Sequence, residues 1–85
     1  MNTIDIPQGV SYSMLQNLIN EWVIGDNAER DREILTYRLL DGLTYDETTT
    51  RYMLKHPDKP ICKDTVIRAV KRRSKEVFRH IDDRD

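Results

Sequence analysis

The chain predicts an all-α fold, a small helical bundle of about four helices, on three observations. Apolar residues recur at helical spacing through most of the 85 residues, and no stretch alternates as a half-buried strand would. Helix-starting signals stand at Ser13-Met-Leu-Gln16, Asp26-Asn-Ala-Glu29 and Thr44-Tyr-Asp-Glu47, each a capping residue followed three places on by Gln or Glu. Gly25 and Gly42 stand where the first two periodic stretches run out, as glycines that end helices do.

Residues 1–10, with Pro7 and Gly9, read as an irregular lead-in. From Ser13 onward Leu15, Leu18, Ile19, Trp22 and Val23 share one arc, with Asn17, Asn20 and Glu21 opposite, so the first helix is amphipathic and Trp22 belongs to the core. The second helix opens at Asp26 with acids that complement its dipole. Its Ile34, Leu35, Tyr37, Leu39 and Leu40 leave it apolar nearly all round, which predicts a central position touched by several neighbours.

Thr44 opens the third helix, whose inward arc holds Thr48, Thr49 and Tyr52. Threonines are poor helix material, at up to about 0.6 kcal/mol each against alanine, so packing must hold this helix. Inward hydroxyls need partners, and the carbonyls one turn back are the nearest. His56-Pro-Asp-Lys-Pro60 breaks the pattern as a stiff turn, and Ile61 plugs the core behind it.

The last stretch, residues 63–81, is free of Gly and Pro. Val66, Ala69, Val70, Val77 and Ile81 fall on one arc with Phe78 at its margin, while Asp64, Arg68, Lys71, Arg72, Lys75 and Arg79 fall opposite. Arg73 lies within the apolar arc and must snorkel out or meet an acid such as Glu33 or Glu47. Residues 82–85 read as a disordered acidic tail.

A chain of this length makes one domain, residues 1–85, with a single small core. Its one Cys excludes an internal disulfide framework and suits a cytoplasmic setting. No apolar run spans a bilayer, and the amino terminus lacks the pattern of a signal peptide. The two His and one Cys are too scattered for zinc, no Gly-rich phosphate loop is present, and the carboxylates cluster at helix starts where capping explains them. No catalytic residue, cofactor or metal is therefore expected, and the chain reads as a non-enzyme.

The net charge of −1 hides an asymmetry. Residues 1–54 carry four Arg against nine acids, residues 55–80 carry nine Lys or Arg against three acids, and residues 81–85 carry three acids and one Arg. A basic segment on a near-neutral chain is the footprint of a localised polyanion partner. The plainer alternative is a solvated face on an ordinary surface helix.

A helix, a glycine, a short capped helix, a turn and a longer basic helix make a helix-turn-helix, here with a lengthened turn. Arg32-Glu-Ile-Leu-Thr-Tyr-Arg-Leu-Leu-Asp-Gly-Leu-Thr-Tyr-Asp-Glu47 resembles the entry to region 4 of bacterial sigma factors and of small sigma-like regulators carried by phages and mobile elements. Cys62-Lys-Asp-Thr-Val66, followed by Arg68 and by Lys71-Arg72-Arg73, is similar to the second half of that motif. The likeness covers residues 28–80. Against the family pattern, residues 53–59 are extra, Thr48 and Thr49 stand where Ile and Ala are usual, and Cys62 replaces a capping Ser, leaving Asp64 as the substitute cap.

The resemblance implies a sequence-specific DNA-binding regulator of transcription with its recognition helix, about residues 63–80, in the major groove of double-stranded DNA. It would carry Lys63, Asp64, Ile67, Arg68, Lys71 and Arg72 into that groove. Arg68 is the candidate for a guanine contact, and Lys71, Arg72 and Lys75 for phosphates. Thr44 and the first amides of the helix it opens are a further candidate phosphate site. One small module covers about 600–1,000 Å² of DNA, so it would need a homodimer or tethering to RNA polymerase. The stripe through Tyr12, Leu15, Ile19 and Val23 is broad enough for part of it to pair subunits, although the core is its better use. Two alternatives stand beside this: the DNA-binding part of a phage packaging protein, and a protein-interaction module that docks on polymerase or another regulator without touching DNA. Leu54, facing away from its helix's core arc, suits the last.

Overall fold

The apolar rows converge on one core to which all four helices contribute. The computed structural model describes residues 9–82, and the regular structure among them is entirely helical. Helix α1 spans Tyr12–Trp22, α2 spans Ala28–Leu35 and runs on through a π turn at Thr36–Leu40, α3 spans Tyr45–Lys55, and α4 spans Lys63–Asp82. The expected four-helix, all-α bundle is thus observed. Both α2 and α4 touch the other three helices, so the central position expected of α2 is found.

The cap of helix α1 lies two residues before the predicted one. Ser11, not Ser13, stands at the N-cap with its hydroxyl accepting from the Met14 N–H at 3.2 Å. Gln16 turns instead toward Asn20, whose side-chain oxygen accepts from its amide at 3.5 Å. Leu15, Leu18, Ile19 and Val23 are buried, and the ring of Trp22 is half-buried and stacked on His80 at 3.5 Å between centroids. Of the stripe through Tyr12, Leu15, Ile19 and Val23, the last three are seated in the core, its preferred use, and only Tyr12 is exposed.

Helix α2 is not capped by Asp26. Asn27 precedes it in the left-handed region, at φ 63°, and makes no side-chain cap bond. The backbone carbonyls of Ile24 and Asp26 point instead toward α4, where Arg73 donates to both at 2.9 Å. The loop before α2 is therefore shaped by its docking and not by a local box. At the other end the helix widens at Thr36–Leu40, where the Asp41 N–H reaches the Thr36 carbonyl at 3.0 Å. A π turn adds a residue to the helical circuit, and here Tyr37, Arg38 and Leu39 are buried in succession. Arg38 is accommodated by donating to the Leu43 carbonyl at 3.2 Å and by lying over the Tyr45 ring at 4.9 Å.

Helix α3 begins with the predicted capping box complete: the Thr44 hydroxyl accepts from the Glu47 N–H at 3.1 Å, and the Glu47 carboxylate accepts from the Thr44 N–H at 2.9 Å. Thr48, Thr49 and Tyr52 are buried as expected. The Thr49 hydroxyl donates to the carbonyl one turn back, on Tyr45, at 2.7 Å, whereas the Thr48 hydroxyl has no partner among the described residues. The helix runs to Lys55, so three of the seven residues extra to the sigma pattern extend α3 and the other four lie in the connection, residues 56–62.

Helix α4 is preceded by Cys62, whose Sγ lies 3.2 Å from the Thr65 hydroxyl. Asp64, expected as the substitute cap, sits inside the first turn. Ile61 packs against the core as expected. The helix extends through Asp82, so the predicted tail begins within it; the remainder of that tail and residues 1–8 of the lead-in lie outside the described residues. Val10, from the lead-in, packs on the core.

Candidate nucleic-acid interface

Helix α4 is two-faced along its whole length. Val66, Ala69, Val70 and Val77 have almost no exposure, and Phe78 and Ile81 lean on the core beside them. Arg68, Lys71, Arg72, Lys75 and Arg79 are exposed on the other side, accompanied by Glu76. Twenty residues at about 1.5 Å each make this face roughly 30 Å long.

What keeps α4 in place includes a charge cluster as well as an apolar seam. Asp31, on the inner side of α2, has no exposure to solvent. Its Oδ2 accepts from Arg73 Nε at 2.7 Å and from Arg72 at 3.3 Å, while Oδ1 is forked by Arg30 at 3.1 and 3.0 Å. Arg73 was expected to snorkel or to meet Glu33 or Glu47. It does pair with an acid, but with Asp31, while Glu33 and Glu47 are engaged elsewhere. All three of its nitrogens are used, Nε on Asp31 and the other two on the loop carbonyls, so the charge is satisfied inside the protein. Arg73 is thereby removed from any outward-facing set.

Glu33 fastens the connection to α2. Its carboxylate accepts from His56 Nε2 at 2.8 Å and from the Tyr37 hydroxyl at 2.6 Å, and the Tyr52 ring lies against His56 at 4.5 Å. Partial burial would raise the Glu33 carboxyl, but the hydrogen bonds from Tyr37 and His56, with the charges of His56 and Lys55, outweigh it and hold it below its ordinary value. Burial first, and then the bond and charge of Glu33, push the Tyr37 hydroxyl up to about 12. The long turn is thus tied down, and α3 and α4 are held at both ends of the connection.

The sequence-predicted site residues divide. Arg68, Lys71 and Lys75 are exposed, and among the described residues no ion pair or hydrogen bond of their side chains is made; the same is true of Arg79. Arg72 is exposed but leans one nitrogen on Asp31. Lys63 is paired with Asp46 at 3.0 Å across the start of α3, both side chains well exposed. Asp64 is exposed, whereas Ile67 is half-buried against the core. The Thr44 hydroxyl is occupied by its cap, with Asp46 and Glu47 in the same turn, a setting that disfavours an additional anion.

The exposed cations of α4 form one wall of a groove whose other wall, from the start of α2, carries Asn27 and Arg30. Six Arg or Lys line it against one acid, Glu76. Sequence reasoning missed Asn27, Arg30 and Asp31. A signal for Asp31 was present, since it shares the core-facing arc of α2 with Ile34 and Leu35, an acid on an inner face matching the arginine on the inner face of α4.

Among the described residues no group of three or more His, Cys, Asp or Glu is arranged to hold a metal, and no helix is long and apolar enough to cross a membrane. Compared with known proteins, the chain matches no family model, no curated protein and no solved structure.

Proposed function

We propose that the chain is a sequence-specific DNA-binding regulator of transcription, similar in design to region 4 of bacterial sigma factors, with α4 lying in the major groove. One observation carries this reading: five cations, Arg68, Lys71, Arg72, Lys75 and Arg79, stand exposed along a single helix whose other face is locked into the core. A solvated face would be expected to intersperse acids among its cations; here only Asp64, one turn before Arg68, and Glu76 accompany the five. An α-helix fits the major groove, and its early turns come nearest to base edges. Arg68, in the second turn of α4, therefore takes the base contact, and Lys71, Arg72, Lys75 and Arg79 bind phosphates. The protein works in the cytoplasm as a non-enzymatic regulator, with RNA polymerase or a second copy supplying the affinity that one module lacks.

A protein-interaction role has one observation in its favour. Leu54 is 76% exposed and Met53 40% on the outer side of α3, an apolar pair that the core does not use. Charge reversal on α4 separates the two. The double substitution K71E/K75E abolishes duplex binding under the DNA reading and leaves the fold intact, because both lysines are exposed and neither makes a hydrogen bond or ion pair among the described residues. Wild-type affinity in that variant, measured by fluorescence anisotropy with a labelled duplex, would leave only the interaction module.

A further inference from the structure

We propose that Arg30, with Asn27 beside it, completes with Arg72 a site for one backbone phosphodiester of the bound nucleic acid, on the α2 wall of the groove. This rests on the DNA-binding reading and extends it from α4 to α2.

The site is built by the fold. Arg30 comes from α2 and Arg72 from α4, and both reach the same carboxylate, that of Asp31, which has no exposure to solvent. Three arginines, counting Arg73, meet one acid, so two positive charges remain over at this point. Arg73 spends its donors inside the protein, on Asp31 and on the carbonyls of Ile24 and Asp26. The surplus therefore belongs to Arg30 and Arg72, whose side chains are 27% and 62% exposed.

Each guanidinium has five N–H donors in a fixed fork. Arg30 commits Nε and one terminal nitrogen to Oδ1, and Arg72 commits one terminal nitrogen to Oδ2, so both keep donors for an incoming anion. Guanidinium forks match the paired oxygens of a phosphodiester. Asp31 already orders these long side chains, which reduces the entropy lost when an anion arrives. Arg68 and Asn27 border the same groove, which continues along α4 past Lys71, Lys75 and Arg79. A row of that length suits a strand of linked phosphates better than a single small anion.

The test is the salt dependence of duplex binding, read by anisotropy between about 50 and 200 mM salt. Removing one phosphate contact with Arg30→Ala makes the log–log slope less negative by about 0.9, with affinity falling by a similar factor for specific and random duplexes. Arg30→Lys, which keeps the charge, returns the slope to the wild-type value. Should the alanine variant fail to fold by circular dichroism, Arg30→Gln is read in the same way. A wild-type slope in a folded Arg30→Ala or Arg30→Gln protein overturns the site, as does a loss confined to one duplex sequence. The K71E/K75E variant tells this failure from the larger one. If it loses binding while the Arg30 variants behave as wild type, only the α2 site falls; if it binds normally, the DNA reading falls and the site with it.

Discussion

Asp31 has no exposure to solvent, and its two oxygens are shared among Arg30, Arg72 and Arg73. Removing the acid leaves the buried Arg73 without a counter-charge, which costs about 3–5 kcal/mol. Asp31→Ala is therefore expected to lower unfolding stability by that amount in urea titrations, a large share of the total for a domain this small. Thr48 is the opposite case. Its side chain is buried and its hydroxyl is unpartnered, so Thr48→Val is expected to raise stability by about 1 kcal/mol. A third residue-scale expectation concerns pH. The folded carboxyl of Glu33 is held below its ordinary 4.5, so its contribution is present above that value and is lost as the pH falls through the folded one. The Tyr37 hydroxyl moves the other way: its contribution is present below pH 10 and is lost as the pH rises through about 12. Glu33→Gln is expected to flatten the acid limb of the stability curve and to lower the Tyr37 titration, both measurable by denaturation and absorbance across pH.

At the scale of helices, what was legible in the sequence is what local chemistry decides. The α3 box is closed within four residues, and Thr44→Ala is expected to cost about 1 kcal/mol of stability. The inward rows of α1 and α4 also follow from periodicity alone, and the burial of Leu15, Leu18, Val66 and Val70 agrees with it. The start of α1 was missed because Ser11 caps with Met14 three places on, so the Ser-x-x-Gln pattern drew attention to Ser13 instead. Ser11→Ala is accordingly expected to lower the melting temperature, while Ser13→Ala, at an exposed position inside the helix, leaves it nearly unchanged. The start of α2 and its π turn were not legible because both answer to distant partners. The loop carbonyls turn toward Arg73, 47 and 49 positions away, and the widened turn seats three consecutive side chains in the core. Pairing of an inner acid with an inner arginine needs the packing of α2 on α4, which no single-helix pattern contains.

For the whole molecule, the decisive feature is how charge is sorted. The acids of α2 and α3 serve helix starts, the Asp31 cluster and the Glu33 clasp, while the cations of α4 other than Arg73 face solvent. The candidate face was legible from the sequence because its cations share one arc of an uninterrupted helix. The α2 wall was not, because Arg30 joins that face only through Asp31. The central claim is that the outward row of α4 binds the phosphates of duplex DNA, and the salt dependence of duplex affinity tests it most directly. Four neutralised phosphates, at Lys71, Arg72, Lys75 and Arg79, predict a log–log slope of about −3 to −4 between roughly 50 and 200 mM salt. A flat response, or no binding to duplex at about 50 mM salt, would contradict it.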